Sequence, residues 1–150
     1  MRWLGLVSIS LLLVGVAGLG SAAAQPRPSV IQITAEEVSS RRVEYGPRGS
    51  GHVEVIWQAL FNRRLTERAI GHVQSLCTTL ALGARYCTAT YLLPRGKLVV
   101  AGDAGSGRAY ELPVVGGTGL YDGARGVLSA QITAMRPRAE TLTFRLQMQP

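Results

Sequence analysis

Only two histidines and two cysteines occur among the 150 residues, and lysine supplies just one of the 16 basic side chains. Each scarcity removes a class of chemistry. His52 and His72 lie on strand-like segments with no evident acidic partner, which excludes a Ser-His-Asp triad built on Ser106 of the Gly102–Gly107 run. Cys77, Cys87 and His72, with His52 far off, do not make a structural zinc spacing. Gly116-Gly117-Thr118-Gly119 lacks both the Gly-Lys-Ser/Thr ending and the following helix that a phosphate-cradling loop needs. Helical periodicity is missing from every window. The arginines stand singly or in pairs, as at Arg41-Arg42 and Arg63-Arg64, without an aromatic-interleaved stripe. Despite a net charge of +7, the pattern predicts charges scattered over solvated strand faces and no nucleic-acid partner.

The longest apolar run is at the front. Met1 and Arg2 precede an apolar stretch from Leu11 to Leu19, and Ala22-Ala23-Ala24 offers small residues for signal peptidase before Gln25. The run is short for a membrane span and no charged stop-transfer cluster follows. Residues 1–24 are therefore expected to be a signal peptide, with secretion or periplasmic export and no stable membrane insertion. Residues 25–37, beginning Gln25-Pro26-Arg27-Pro28, are expected to be a flexible arm. Residues 38–150 make one domain by length, enough for a single core.

In an oxidising compartment two cysteines pair by default. Leu80 to Ala84 lies midway between Cys77 and Cys87, so a hairpin turning there sets the two thiols opposite each other. Closing so short a loop contributes about 3 kcal/mol. Zinc shared with His72 is the weaker alternative.

Short alternating segments fill the rest. Strands are predicted over 30–34, 38–45, 52–61, 68–79, 85–93, 97–102, 109–115, 124–134 and from Thr141 onward. In the 52–61 strand, Val53, Val55, Trp57, Ala59 and Phe61 share one face, while His52, Glu54, Ile56, Gln58 and Leu60 share the other. In the last strand Leu142, Phe144, Leu146 and Met148 alternate with Thr141, Thr143, Arg145 and Gln147. Strands of this length joined by Gly/Pro turns predict an all-β barrel or sandwich, between which periodicity does not choose.

The segment from Val114 to Gly126, Val-Val-Gly-Gly-Thr-Gly-Leu-Tyr-Asp-Gly-Ala-Arg-Gly, is the most distinctive. It is expected to end a strand, turn through glycine conformations and begin another strand. It resembles the signature of dirigent proteins and allene oxide cyclases. Ile70-Gly71 ahead of Cys77, the Pro94-Arg95-Gly96 turn and Leu98 to Gly102 extend the resemblance over 70–128. The resemblance implies an antiparallel barrel of about eight strands around a lipophilic pocket. It implies a hydrophobic small-molecule ligand whose cyclisation or stereoselective coupling is steered by shape, and a homotrimer. It implies no cofactor, since in dirigent systems a separate oxidase makes the radical.

Arg125 corresponds to the pocket arginine of that family and Asp122 lies close by, although the glycine run is followed by apolar Leu120. Glu44 is the counterpart of a cyclase glutamate, and Glu44 or Glu54 inside an apolar barrel would be a proton donor. Trp57, Tyr91, Tyr110 and Tyr121 are candidates to line the cavity and hydrogen-bond a ligand oxygen. Surface pairing of Arg125 with Asp122, and ordinary core packing of the aromatics, are the bland alternatives. A lipocalin-like carrier, or an envelope interaction protein whose barrel is filled by side chains, are the rival functions. A cavity of ligand size holding Arg125 or a carboxylate beside tyrosines would favour steered chemistry, an apolar cavity without polar groups the carrier, and a closed interior filled by Trp, Phe and Leu the interaction protein.

Overall fold

A computed structural model describes residues 28–46, 51–62, 68–80 and 83–147. The expected signal peptide, the first residues of the arm, the Arg63-Arg64 pair and Met148 lie outside the described residues. Eight antiparallel strands follow one another: β1 (Pro28–Tyr45), β2 (Gly51–Asn62), β3 (Gly71–Thr79), β4 (Arg85–Leu93), β5 (Gly96–Asp103), β6 (Ala109–Gly119), β7 (Arg125–Met135) and β8 (Arg138–Gln147). Each pairs with its neighbour in sequence, and β1 pairs with β8, so the sheet closes into a barrel. No α-helix occurs among the described residues. The choice between barrel and sandwich is made by that last pairing, from Pro28↔Gln147 to Glu36↔Ala139.

The expected arm is corrected by the same contact. From Pro28 onward, residues assigned to the arm form the first half of β1, bonded to β8 on one side and β2 on the other. A β-bulge between Glu37 and Ser39 explains why the sequence reads as two strands. Ile33, Ala35 and Glu37 face inward before the bulge, and Ser40 and Arg42 face inward after it. The extra residue, Val38, is 71% exposed.

A second departure concerns the glycine run. Gly116 to Gly119 does not turn; it continues β6 and pairs with Val99 to Gly96 of β5. The turn is Leu120 to Gly123, which folds back onto the strand. A Cβ on Gly117 would stand 2.2 Å from the Tyr121 carbonyl oxygen and 2.8 Å from that of Lys97. Gly119 holds φ +66°, which side chains other than glycine rarely adopt. Close approach, not turning, is what most of the run provides.

The interior divides in two. Toward the end carrying the β6–β7 turn, Leu60, Val73, Leu98, Val100, Leu112, Leu128, Leu142, Phe144 and Leu146 are fully buried and fill the barrel. Their strands supply inward residues at every second position, as the pleat dictates. Toward the opposite end, where β1–β2, β3–β4, β5–β6 and β7–β8 are joined, the inward positions turn polar. Cys77 and Cys87 lie directly opposite on β3 and β4, face inward and form a disulfide. It ties the polar end together.

Candidate functional site

Five inward positions make the polar chamber. Gln58 comes from β2, Tyr91 from β4, Tyr110 from β6, and Arg138 and Glu140 from β8. With Ser75 and the disulfide they line an interior cavity of about 20 Å³, room for one or two atoms of water size. Glu140, 2% exposed, is the centre of the arrangement. Its Oε2 accepts from the Tyr110 hydroxyl at 2.8 Å, and its Oε1 accepts from Nε of Arg138. Arg138 and Glu140 are two apart on a strand, so the pleat sets both on one face. The charge is paired where it is buried, as a buried carboxylate requires.

Tyr91 marks the boundary between chamber and apolar plug. Its ring meets Phe144 edge to face, with centroids 5.0 Å apart and planes at 83°. Gln58 is 5% exposed, and no protein group accepts from its Nε2.

Above the chamber the barrel opens into a cavity of about 670 Å³. Its walls carry Arg42, Arg85, Arg136, Arg138 and His52 with Glu37 and Glu54. Glu54 is shared by Arg85 at 3.1 Å and Arg42 at 3.7 Å. Arg85 and Arg138 border both spaces, so they stand between the mouth and the chamber.

Both phenols resist ionisation. Burial raises the Tyr91 pKa first, and the neighbouring Tyr110 and Glu140 raise it further. Tyr110 is raised by burial, then by the charge of Glu140 and by the hydrogen bond it donates to that carboxylate. Burial lowers the Arg138 pKa, but Glu140 and Tyr110 together more than offset this and the net shift is upward. A phenol raised in the folded state adds stability that is present below its unfolded value of about 10 and lost as the pH climbs past it. Stability is expected to fall from about pH 10 upward, by up to ~2.7 kcal/mol per pH unit for two such groups. Urea unfolding across that range checks this, and the Tyr91→Phe/Tyr110→Phe double variant should flatten the slope. Phenolate absorbance showing all five tyrosines ionising together in an intact barrel would contradict it.

The structure brings Tyr91 and Tyr110 together and places the other sequence candidates elsewhere. Arg125 begins β7 at the far end, exposed, its guanidinium donating to the Ala124 carbonyl at 2.9 Å. Asp122 is exposed in the turn beside it, and Tyr121 is half-buried against the plugged end. Glu44 is exposed near the end of β1. Trp57, 43% exposed, lies on the outer face and stacks on His72 with centroids 5.5 Å apart. Among the described residues no group of three or more His, Cys, Asp or Glu is placed to hold a metal ion.

Arg138, Glu140 and Gln58 were not singled out by sequence, yet a signal existed. Extending the inward face of β8 back by two and four residues from Leu142 reaches Glu140 and Arg138. Gln58 interrupts the inward run of Ile56 and Leu60.

No protein-family model matches the sequence, and no curated protein matches it. Solved structures do share the architecture. Pyocyanin demethylase matches with a TM-score of 0.69 at 17% identity, over 79% of this chain and 100% of that one. A pterocarpan synthase dirigent protein matches with a TM-score of 0.65 at 15% identity, over 85% and 100%. A Diels–Alderase from Streptomyces koyangensis matches with a TM-score of 0.65 at 18% identity, over 86% and 72%. The chain is thus a closed eight-stranded barrel with the fold of dirigent proteins and cyclase barrels, and the resemblance seen in its glycine run holds in the architecture.

Proposed function

We propose that this chain is a secreted barrel that binds a hydrophobic small molecule through its polar end and steers the molecule's cyclisation or coupling. The observation that carries the proposal is the Tyr91–Tyr110–Glu140–Arg138 chamber opening beneath a mouth of ligand size. A carboxylate beside two tyrosines favours steered chemistry over a carrier with a purely apolar cavity. The Tyr110 phenol donates its one proton to Glu140, so what it presents to a substrate is an acceptor oxygen held in place by that bond. Around it the fixed barrel wall limits the orientations a bound substrate can take, which is the larger source of selectivity. The dirigent and Diels–Alderase barrels with which it shares its fold support ring-forming or coupling chemistry.

Export is supported by the apolar N-terminal run and by the disulfide, since such bonds persist in oxidising compartments. No helix among the described residues is long and apolar enough to cross a membrane. A homotrimer is part of the same proposal. Val55, Trp57 and Leu76 are exposed on adjoining outer positions of β2 and β3, an apolar stripe that subunit contact would cover. Light scattering that returns a monomer at all concentrations would remove the trimer.

Binding is tested with pyocyanin, an achiral dye. Seated in an asymmetric site it should acquire circular dichroism in its visible band, weakened by Tyr110→Phe. Steering is tested by oxidising coniferyl alcohol chemically with and without the protein and measuring product enantiomers. An enantiomeric excess that depends on Tyr110 is expected. Racemic product with dye still bound would leave a carrier, and an unresponsive dye together with racemic product would overturn the proposal.

A further inference from the structure

Gln58 is buried, and among the described protein groups none accepts from its Nε2. A desolvated amide N–H without an acceptor costs about 1–3 kcal/mol, and a leucine in its place, between Ile56 and Leu60, would avoid it. The acceptors that line the cavity with it, the Ser75, Tyr91 and Tyr110 hydroxyls and the Glu140 carboxylate, leave its Nε2 without a bond. Both oxygens of Glu140 are engaged, one by Arg138 and the other by Tyr110. The space that Gln58 lines is about 20 Å³, which admits the tip of a ligand and not its body. Outside, Arg138 is already paired with Glu140, and the mouth carries Arg42, Arg85 and Arg136 against Glu37 and Glu54, the last shared between Arg42 and Arg85. That leaves positive charge in excess where the body of a ligand would rest.

We propose that the site selects small carbonyl-bearing acids: the carbonyl oxygen enters the chamber and accepts from Gln58 Nε2, while the acidic group stays among the mouth arginines. This rests on the reading of the chamber as a ligand site. Gln58 fixes which atom of the ligand goes in first, and the arginines fix which end stays out. The amide is neutral, so it holds the oxygen without protonating it.

Three probes of similar size separate the contributions. 3-Benzoylpropionate has the ketone and the acid, 4-phenylbutanoate lacks the ketone, and butyrophenone lacks the acid. Isothermal titration should give 3-benzoylpropionate an affinity about tenfold above 4-phenylbutanoate, the equivalent of about 1.4 kcal/mol for one satisfied donor. Gln58→Leu should bring that ratio to about one. The variant should also melt at a higher temperature than the parent, because an unpaired amide has been removed. Gln58→Met serves as a second variant with the same expectation. With a 13C-labelled ketone, the carbonyl stretch of bound 3-benzoylpropionate should shift to lower frequency in the parent and not in either variant. Rising salt should weaken both acids and spare butyrophenone.

A ratio near one in the parent, or a ratio that survives Gln58→Leu, overturns the assignment of Gln58 while binding of any probe keeps the ligand site. Binding of butyrophenone as tight as that of 3-benzoylpropionate overturns the role of the arginines. If none of the three probes binds, both the assignment and the ligand site fall.

Discussion

Replacing Glu140 by leucine is expected to destabilise the barrel by about 3 kcal/mol, a large share of the 5–15 kcal/mol that holds a domain of this size. The change leaves the Arg138 guanidinium without its counter-charge and the Tyr110 hydroxyl without its acceptor. The lower end of the usual 3–5 kcal/mol applies because the Arg138 side chain is 16% exposed and keeps some contact with water near the mouth. Removing the cation as well, in Glu140→Leu/Arg138→Leu, should recover most of the loss, since a buried pair exchanged for apolar groups is close to neutral. Urea unfolding followed by far-ultraviolet circular dichroism measures both. A single variant within about 1 kcal/mol of the parent, or a double variant as weak as the single, would show that the pair is not coupled as described.

Phe144→Ala should cost about 4 kcal/mol, through lost burial and the cavity left behind. Phe144 is fully buried at the centre of the plug, beneath the Tyr91 ring. Its surroundings are strands bonded on both sides, Ile31 on β1 and Leu128 on β7, so the wall cannot collapse inward to fill the space. The effect should reach the chamber. Without its edge-to-face partner Tyr91 loses one wall of its socket, and its near-ultraviolet circular dichroism should weaken. A loss of under about 2 kcal/mol would mean that the plug repacks and that the boundary at Tyr91 is soft.

These two changes act on residues of one strand face, and that face was largely legible beforehand. Leu142, Phe144 and Leu146 are inward as their alternation implies. Glu140 and Arg138 continue the same period but are charged, and a charge ordinarily marks the end of a buried face. Only the arrival of Tyr110 from β6, and the pairing of the two charges with each other, makes their burial affordable. Arg125 and Trp57 show the converse. Each has a residue type suited to a pocket, yet strand direction puts Arg125 at the plugged end, and pleat parity puts Trp57 outside.

By itself the sequence determined the all-β class, the strands from β2 onward to within a few residues, the opposition of Cys77 and Cys87, and the two faces of β2 and β8. All of these depend on neighbours a few residues apart, where the period of two and the chemistry of turns act directly. Tertiary structure alone decided closure by β1 on β8, the bulge at Val38 that changes which side chains of β1 look inward, and which end of the barrel is filled. It also decided the site. Gln58, Tyr91, Tyr110 and Glu140 come from four different strands, and whether such side chains meet depends on how far each strand is staggered against the next around a closed sheet. No local pattern encodes that stagger, because it is set by all eight pairings at once.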